Sequence, residues 1–301
     1  MKYSTLQGII AAIPTPFDEN EELALDALAA DIEKWNRTRL AGYTVLGTTG
    51  EPVSLTTDEK KRVLERARAV IPEEKVMLAG TGEESTRATA RLSRFAGDIG
   101  CDYAIVLTPH YNRSAFSKSS LVDHYHRVAD ESGIPVLIYH IPAFTDLDLK
   151  PELVSQIAQH PNVAGIKDSS GDVTALQEMR RRCPDDFRIL TGAAPALHAA
   201  FTVGADGAIL ADACSAHDLS VNILEAVEDG EVSRARVLQA RLAELSGILI
   251  GKYGIPGVKA LLARQGYSPG PPRRPLTPLT GAETDELVRA FEEAGREPTR
   301  S

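Results

Sequence analysis

A lysine stands at the end of an apolar segment, where its side chain would be buried. Lys167 follows Val163–Ile166 and precedes Asp168–Gly171, a run of small and polar residues. Burying an ammonium group is costly unless the group is paired or loses its proton. A neutral lysine amine is a nucleophile that forms imines with carbonyl compounds. Lys167 alone also fits an ordinary lysine that pairs with Asp168 or reaches solvent, so other residues must decide.

Polar residues follow three other apolar runs. Gly47–Glu51 contains two glycines, which let backbone N–H groups approach a ligand, and two threonines, Thr48 and Thr49, which add hydroxyl donors for a carboxylate. Tyr111 lies in the polar stretch after the apolar run Tyr103–Leu107, and Tyr139 ends the run Val136–Tyr139. Each residue also has a structural interpretation, as a turn, an exposed aromatic loop or a strand cap. Together these residues indicate an active site only if the ends of the apolar runs lie close together in the fold.

The rest of the chain predicts that they do meet. Short apolar runs alternate with helix-length amphipathic segments, which is typical of parallel strands joined by helical crossovers. The first strand runs into Pro14–Phe17, which cannot form the glycine-rich phosphate turn of a doubly wound open sheet. We therefore predict a (β/α)₈ barrel over residues 1–220, with active-site residues at the carboxyl ends of its strands. The predicted strands are Gly8–Ile13, Gly42–Leu46, Val76–Ala79, Tyr103–Leu107, Val136–Tyr139, Val163–Lys167, Phe187–Leu190 and Gly207–Leu210.

The pattern changes after the eighth unit. Residues 218–252 predict two helices separated at Asp229-Gly230, and residues 254–266 predict another. The proline-rich segment 268–278 predicts an extended stretch, which a last helix over 282–294 follows. We predict that residues 221–301 form a helical extension packed on the barrel as one structural unit, with Arg296–Ser301 disordered.

Composition excludes several classes of partner. The chain has 301 residues, of which 43% are hydrophobic and 25% charged, and its net charge of −9 disfavours nucleic acid and anionic membranes. No apolar stretch approaches the about 20 residues of a membrane span, and Met1–Thr5 do not begin a signal peptide. The three cysteines lack metal-ligand spacing. We expect a cytoplasmic protein with reduced thiols.

Four motifs, in this order, resemble the pyruvate-dependent class I aldolase family that includes dihydrodipicolinate synthase and N-acetylneuraminate lyase. They are Gly47–Glu51, Tyr139-x-x-Pro142, Gly165–Gly171 and Gly207–Ile209, and the resemblance covers essentially the whole chain. It implies that Lys167 forms the Schiff base and that Tyr139 is the proton shuttle. It also implies that Thr48 and Thr49 bind the pyruvyl carboxylate, with Thr48 in a proton relay.

Two further roles follow from the same resemblance. Tyr111 would complete the relay across a tight dimer interface, which implies a homo-oligomer, usually a tetramer built as a dimer of dimers. Ile209 would line the pyruvate pocket through its backbone. No metal or organic cofactor is expected, because the protonated imine is the electron sink.

Departures from the family pattern bear on the second substrate. Phe144 and Gly192 are expected to be substrate-binding residues. Phe144 stands where the synthases have an arginine for the aldehyde's carboxylate, and Ala193-Ala194 follow Gly192 where polyol-cleaving relatives have acids. Tyr253–Lys259 is similar to 4-hydroxy-2-oxoglutarate aldolases. Asp146 replaces a usual glycine, and His140 is expected to be a buried structural histidine.

The sequence thus predicts a lyase that cleaves a 4-hydroxy-2-oxo acid, best 4-hydroxy-2-oxoglutarate, to pyruvate and a small aldehyde such as glyoxylate. Ser169 and Arg113 are candidate partners for the distal carboxylate. The alternatives are dihydrodipicolinate synthase, a 2-keto-3-deoxy sugar-acid aldolase or dehydratase, and, outside enzymes, a silent barrel that binds an oxo acid.

Overall fold

The computed structural model describes residues 6–295 and contains a closed barrel of eight parallel strands. Each strand pairs with the next in the chain, and the eighth closes onto the first. The predicted (β/α)₈ barrel is confirmed, with strand ends that differ from the predictions by at most one residue. The strands are β1 Gly8–Ala12, β2 Gly42–Val45, β3 Val76–Gly80, β4 Tyr103–Leu107, β5 Val136–His140, β6 Val163–Asp168, β7 Arg188–Thr191 and β8 Gly207–Leu210.

Helices cover the outside of the barrel and continue beyond it. A short helix at Pro142–Thr145 was absent from the sequence-based elements, because a single turn has no period to detect. The helices are α1 Leu25–Trp35, α2 Thr57–Arg68, α3 Thr86–Asp98, α4 Lys118–Glu131, α5 Pro142–Thr145, α6 Pro151–Ile157, α7 Val173–Arg182, α8 Leu197–Thr202, α9 His217–Glu228, α10 Val232–Ser246, α11 Gly254–Arg264 and α12 Gly281–Gly295, with a π-helical segment at Gly247–Lys252 between α10 and α11.

The barrel interior is packed rather than hollow. Strand side chains alternate in direction, so one set points inward and the other faces the helices. The inward set forms a buried cluster that includes Leu137, Tyr139, Leu190 and Ile209. A filled interior leaves the loops at the carboxyl ends of the strands as the place where a ligand can bind.

The segment after β8 packs against that carboxyl end. Helix α11 contacts the 3₁₀ turn Asp212–Cys214, and α10 contacts the turn Ala194–Ala196 after β7. Residues 268–280 contain neither helix nor strand, as the prolines indicate. Residue 220 lies within α9, and the division into barrel and extension stays a proposal. The prediction for Arg296–Ser301 lies outside the described residues.

Two further sequence expectations concern cysteines and membrane helices. Cys101, Cys183 and Cys214 are all buried free thiols. Between residues 6 and 295, no single helix is long and apolar enough to cross a membrane; one pair of helices bent by 118°, Val232–Lys252 with Gly254–Arg264, meets the criteria of length and composition.

Candidate active site

Lys167 and Tyr139 lie side by side at the carboxyl end of the barrel. They are the penultimate residues of β6 and β5, and the parallel register places them directly opposite each other. Both are buried, with Lys167 only 5% exposed. The Lys167 Nζ atom lies 4.3 Å from the centroid of the Tyr139 ring. The amine therefore lies against an aromatic face next to a phenol, as the sequence predicted.

The next residue on each strand forms a second pair. His140 Nδ1 lies 2.6 Å from Asp168 Oδ2, and both side chains are buried. The backbone N–H of Leu149 donates to His140 Nε2 at 3.2 Å, which assigns the imidazole proton to Nδ1. Because strand side chains alternate, this pair lies on the opposite side of the strands from Lys167. It links the carboxyl ends of β5 and β6, a structural role for His140.

Thr48 reaches Tyr139 from the loop after β2. Its hydroxyl lies 3.0 Å from the Tyr139 hydroxyl, in a hydrogen bond where either atom can donate. Thr48–Gly50 form one 3₁₀ turn, closed by the Gly50 N–H donating to Gly47 O at 2.8 Å. Two loop residues other than glycine adopt left-handed backbone conformations, Leu46 at φ 60° and Glu51 at φ 55°. Such residues persist only where surrounding contacts hold them.

Contacts that hold Glu51 come from the C-terminal part of the chain. Glu51 and Lys259 are 1% and 2% exposed, and Glu51 Oε1 lies 2.6 Å from Lys259 Nζ. Lys259 also donates to the carbonyls of Thr15 and Pro271, each at 2.9 Å. The Arg273 backbone N–H donates to Glu51 Oε2 at 2.9 Å. Burial lowers the pKa of Lys259 to about 8, and Glu51 opposes that shift. Sequence reasoning missed this anchor.

One cavity of about 430 Å³ contains most of the predicted site residues. Those that line it are Lys167, Tyr139, Thr48, Thr49, Ser169, Gly192 and Phe144. A Cβ atom at Gly192 would overlap the Ser169 hydroxyl and lie 2.8 Å from Lys167 Cε, so a larger residue there would displace both site side chains. The Ile209 side chain is fully buried in the barrel interior and is not among the lining residues.

Tyr111 lies apart from this group. Its side chain is 82% exposed, on the loop after β4. It borders a second cavity of about 400 Å³, which Thr48 and Tyr139 also line. The hydrogen-bonded hydroxyls of Thr48 and Tyr139 thus border both cavities, and Tyr111 of the same chain makes no hydrogen bond to them among the described contacts.

The far wall of the Lys167 cavity comes from the extension, which the sequence did not predict. A possible signal was the run of glycines at positions 247, 251 and 254, because glycine allows close approach to a ligand. The wall residues are Ser246, Gly247, Ile250, Gly251, Gly254, Ile255 and Val258. Part of this wall is π-helical, and such segments often occur at functional sites.

The distal part of the cavity has little polarity. Phe144, 68% exposed, lines it together with Ala193 and Ala194. Ser169 lies in this cavity, whereas Arg113 is not among its lining residues and pairs with Asp146 at 2.9 Å. The role of either residue toward a distal carboxylate stays a prediction.

Comparison with known proteins places this geometry in a family. The model of the dihydrodipicolinate synthetase family matches residues 5–294. The chain belongs to this family. Membership makes it an enzyme, a lyase of the pyruvate-dependent class I aldolase type, and sets aside the silent barrel.

Individual members of the dihydrodipicolinate synthetase family are similar over nearly the full chain. A 4-hydroxy-tetrahydrodipicolinate synthase of an Exiguobacterium species is 33% identical, over 95% of this chain and 97% of the relative. One from Xanthomonas axonopodis is 36% identical, over 96% and 95%. The crystal structure of a dihydrodipicolinate synthase from Acinetobacter baumannii, complexed with pyruvate, matches with a TM-score of 0.91 and 29% identity, covering 96% of this chain and 99% of that one. These relatives are synthases, so the likeness to 4-hydroxy-2-oxoglutarate aldolases stays a prediction.

The role of the Tyr139 hydroxyl can be tested by a substitution that keeps the aromatic ring. We expect Tyr139→Phe to lower kcat by about 10²-fold or more, the usual loss when a general acid or base is removed. Tyr43→Phe is the matched control, because that buried hydroxyl contacts Asn36 outside the cavity. Steady-state kinetics of both variants, with circular dichroism to verify folding, make the comparison. Equal activity of the two variants would contradict the role of Tyr139.

The Glu51–Lys259 pair can be tested through stability and pyruvate binding together. Lys259→Met leaves a buried carboxylate without its cation, so we expect a loss of about 3 kcal/mol or more in unfolding free energy. The KM for pyruvate should rise, because the loop with Thr48 and Thr49 loses its anchor.

The double variant Glu51→Gln/Lys259→Met is the control, since it removes both charges and should recover part of the stability. Urea unfolding at matched protein concentration and pyruvate saturation curves provide the two measurements. Wild-type stability and KM in Lys259→Met would show that the pair does not hold the loop.

Proposed function

We propose that the enzyme forms an imine between Lys167 and the C2 carbonyl of pyruvate. The observation that carries the proposal is the buried Lys167 amine against Tyr139, whose hydroxyl is hydrogen-bonded to Thr48 in one cavity. The amine adds to C2, Tyr139 moves the protons of the carbinolamine, and water leaves. The backbone N–H groups and hydroxyls of Thr48 and Thr49 hold the pyruvate carboxylate.

In the cleavage direction, the imine forms on the 2-oxo acid. Tyr139 takes the proton of the C4 hydroxyl, the C3–C4 bond breaks, and its electron pair passes to the protonated imine as an enamine. The aldehyde leaves, C3 is protonated, and water hydrolyses the imine to release pyruvate and Lys167. Condensation runs through the same steps in reverse. The protonated imine accepts the electrons, so the proposal requires no metal or organic cofactor.

Two aldehydes remain candidates for the second substrate. The names of the relatives favour condensation of pyruvate with aspartate semialdehyde, as in 4-hydroxy-tetrahydrodipicolinate synthase, and we place this reaction first. The absence of arginine at Phe144 favours the cleavage of 4-hydroxy-2-oxoglutarate that the sequence suggested, and we keep it second. A polyol aldol, as in the 2-keto-3-deoxy sugar acids, is less favoured by Ala193 and Ala194.

Reductive trapping tests the imine. Incubation with pyruvate and borohydride should add a three-carbon adduct to the peptide that contains Lys167, and Lys167→Ala should lose both adduct and turnover. Lys259 is the internal comparison, because it is equally buried but held by Glu51 and two carbonyls. Peptide mass spectrometry reads out the site. An adduct on Lys259, or none, overturns the proposal.

We further propose that the active unit is a homo-oligomer in which Tyr111 of one copy approaches the Thr48–Tyr139 hydroxyls of another through the second cavity. The exposure of Tyr111 and the position of that cavity support this arrangement. Mixing inactive Tyr111→Phe subunits with inactive Lys167→Ala subunits should restore part of the activity, because mixed interfaces then contain one complete site.

Sedimentation at micromolar concentration should show a dimer or a tetramer for the wild type. Refolding each inactive variant alone is the control for the mixing experiment. A fully active monomer, or no recovery on mixing although hybrids form, would contradict the exchange of Tyr111.

A further inference from the structure

Asp212 places a buried carboxyl group in the wall of the Lys167 cavity. It follows β8 on the 3₁₀ turn Asp212–Cys214, lines the cavity and is 4% exposed. Ser246, at the end of α10, lines the same cavity, and its side chain favours the ionised form of the Asp212 carboxyl group. Asp212 Oδ1 is buried and accepts no hydrogen bond from the residues that the structure describes. Buried acceptors are normally paired, so an unpaired one needs an explanation.

The charges of the cavity wall are few. Among the described lining residues, Lys167 is the one basic side chain and Asp212 the one acidic side chain. In the proposed function Lys167 is bonded to C2 of the pyruvyl half as a protonated imine, close to the pyruvyl carboxylate. A distal carboxylate on the second substrate would then approach Asp212 without a second basic side chain among the described lining residues. A hydroxyl or ammonium group would meet an acceptor that lacks a donor.

We propose that Asp212 is a specificity-determining residue that accepts a hydrogen bond from a hydroxyl or ammonium group on the aldehyde half of the substrate. It favours a donor-bearing aldehyde over one whose distal group is a carboxylate alone. The inference rests on the proposed function, because it concerns the aldehyde that reacts with the pyruvate imine.

The titration of Asp212 supports this role. Burial raises its pKa to about 6, and the Ser246 hydroxyl and the Asp212 backbone N–H oppose the shift. Near neutral pH the group is therefore a carboxylate that accepts hydrogen bonds, and below about pH 6 it becomes a neutral acid. Cys214, whose thiol is close enough to feel both Asp212 and Lys167, has its pKa raised by burial and stays protonated.

Other ionisable groups lie on the elements packed against this turn or in the same cavity, namely His217 and Asp218 on α9, Lys259 on α11, and Tyr139 in the cavity wall. The test therefore uses the ratio of kcat/KM for two aldehydes on the same enzyme. The titration of a group that affects both aldehydes equally cancels from this ratio.

The test uses matched aldehydes with pyruvate as the common partner. Aspartate semialdehyde and succinate semialdehyde differ by an ammonium group, and glycolaldehyde and acetaldehyde differ by a hydroxyl group. In the wild type at neutral pH, kcat/KM should favour the donor-bearing aldehyde by about ten-fold or more in at least one pair, the scale of a hydrogen bond to a charged group.

Asp212→Leu should bring that ratio close to one. Asp212→Asn keeps the shape and should lose most of the preference for the ammonium, and it covers the case in which the leucine variant does not fold. The wild-type ratio should fall below about pH 6, whereas the Asp212→Asn ratio should stay flat. Asp218→Asn, at an exposed acid outside the cavity, is the matched control and should leave the ratio unchanged.

Borohydride trapping of pyruvate distinguishes a failure of the inference about Asp212 from a failure of the proposed function. An adduct at Lys167 with a ratio that Asp212→Asn and Asp212→Leu do not change overturns the role of Asp212 alone. A wild type that prefers neither donor-bearing aldehyde overturns it as well. No adduct in the wild type overturns the proposed function and this inference with it.

Discussion

The register between β5 and β6 is the constraint on which the site depends. It sets Tyr139 opposite Lys167 on the inner side and His140 opposite Asp168 on the outer side. The inner pair has the groups for imine chemistry, and the outer pair ties the same strand ends together through a buried 2.6 Å contact. A slip of one residue would exchange the two sides and remove the amine from the cavity.

A second constraint is the buried ion pair that connects the loop after β2 with α11. The loop with Thr48 and Thr49 contains a left-handed Glu51, and that carboxylate is paired with Lys259 of the extension. The same extension supplies the wall of the cavity from Ser246 to Val258. The helices after the barrel are therefore part of the site, both as its anchor and as its far side.

The sequence allowed most of the barrel and the centre of the site to be predicted, because both depend on local patterns. Apolar runs give the strands, and a barrel brings the ends of all strands to one mouth, so Lys167, Tyr139 and Thr48 could be expected to meet. Some strand ends were missed by one residue because polar residues continue the pairing, as at Asp168. The roles of Tyr111 and Ile209 came from family resemblance and stay predictions. Asp212 and the Glu51–Lys259 pair could not be predicted, because contacts between residues far apart in the chain leave no local pattern.

A crystal structure of the enzyme soaked with pyruvate would test the central claim most directly. The claim is that the buried Lys167 amine, set by strand register against Tyr139, is the group that captures the substrate. Continuous electron density from Lys167 Nζ to C2 of pyruvate, with the carboxylate at Thr48 and Thr49, is the predicted result. Pyruvate bound in the cavity without a covalent link, or linked to another lysine, would contradict it.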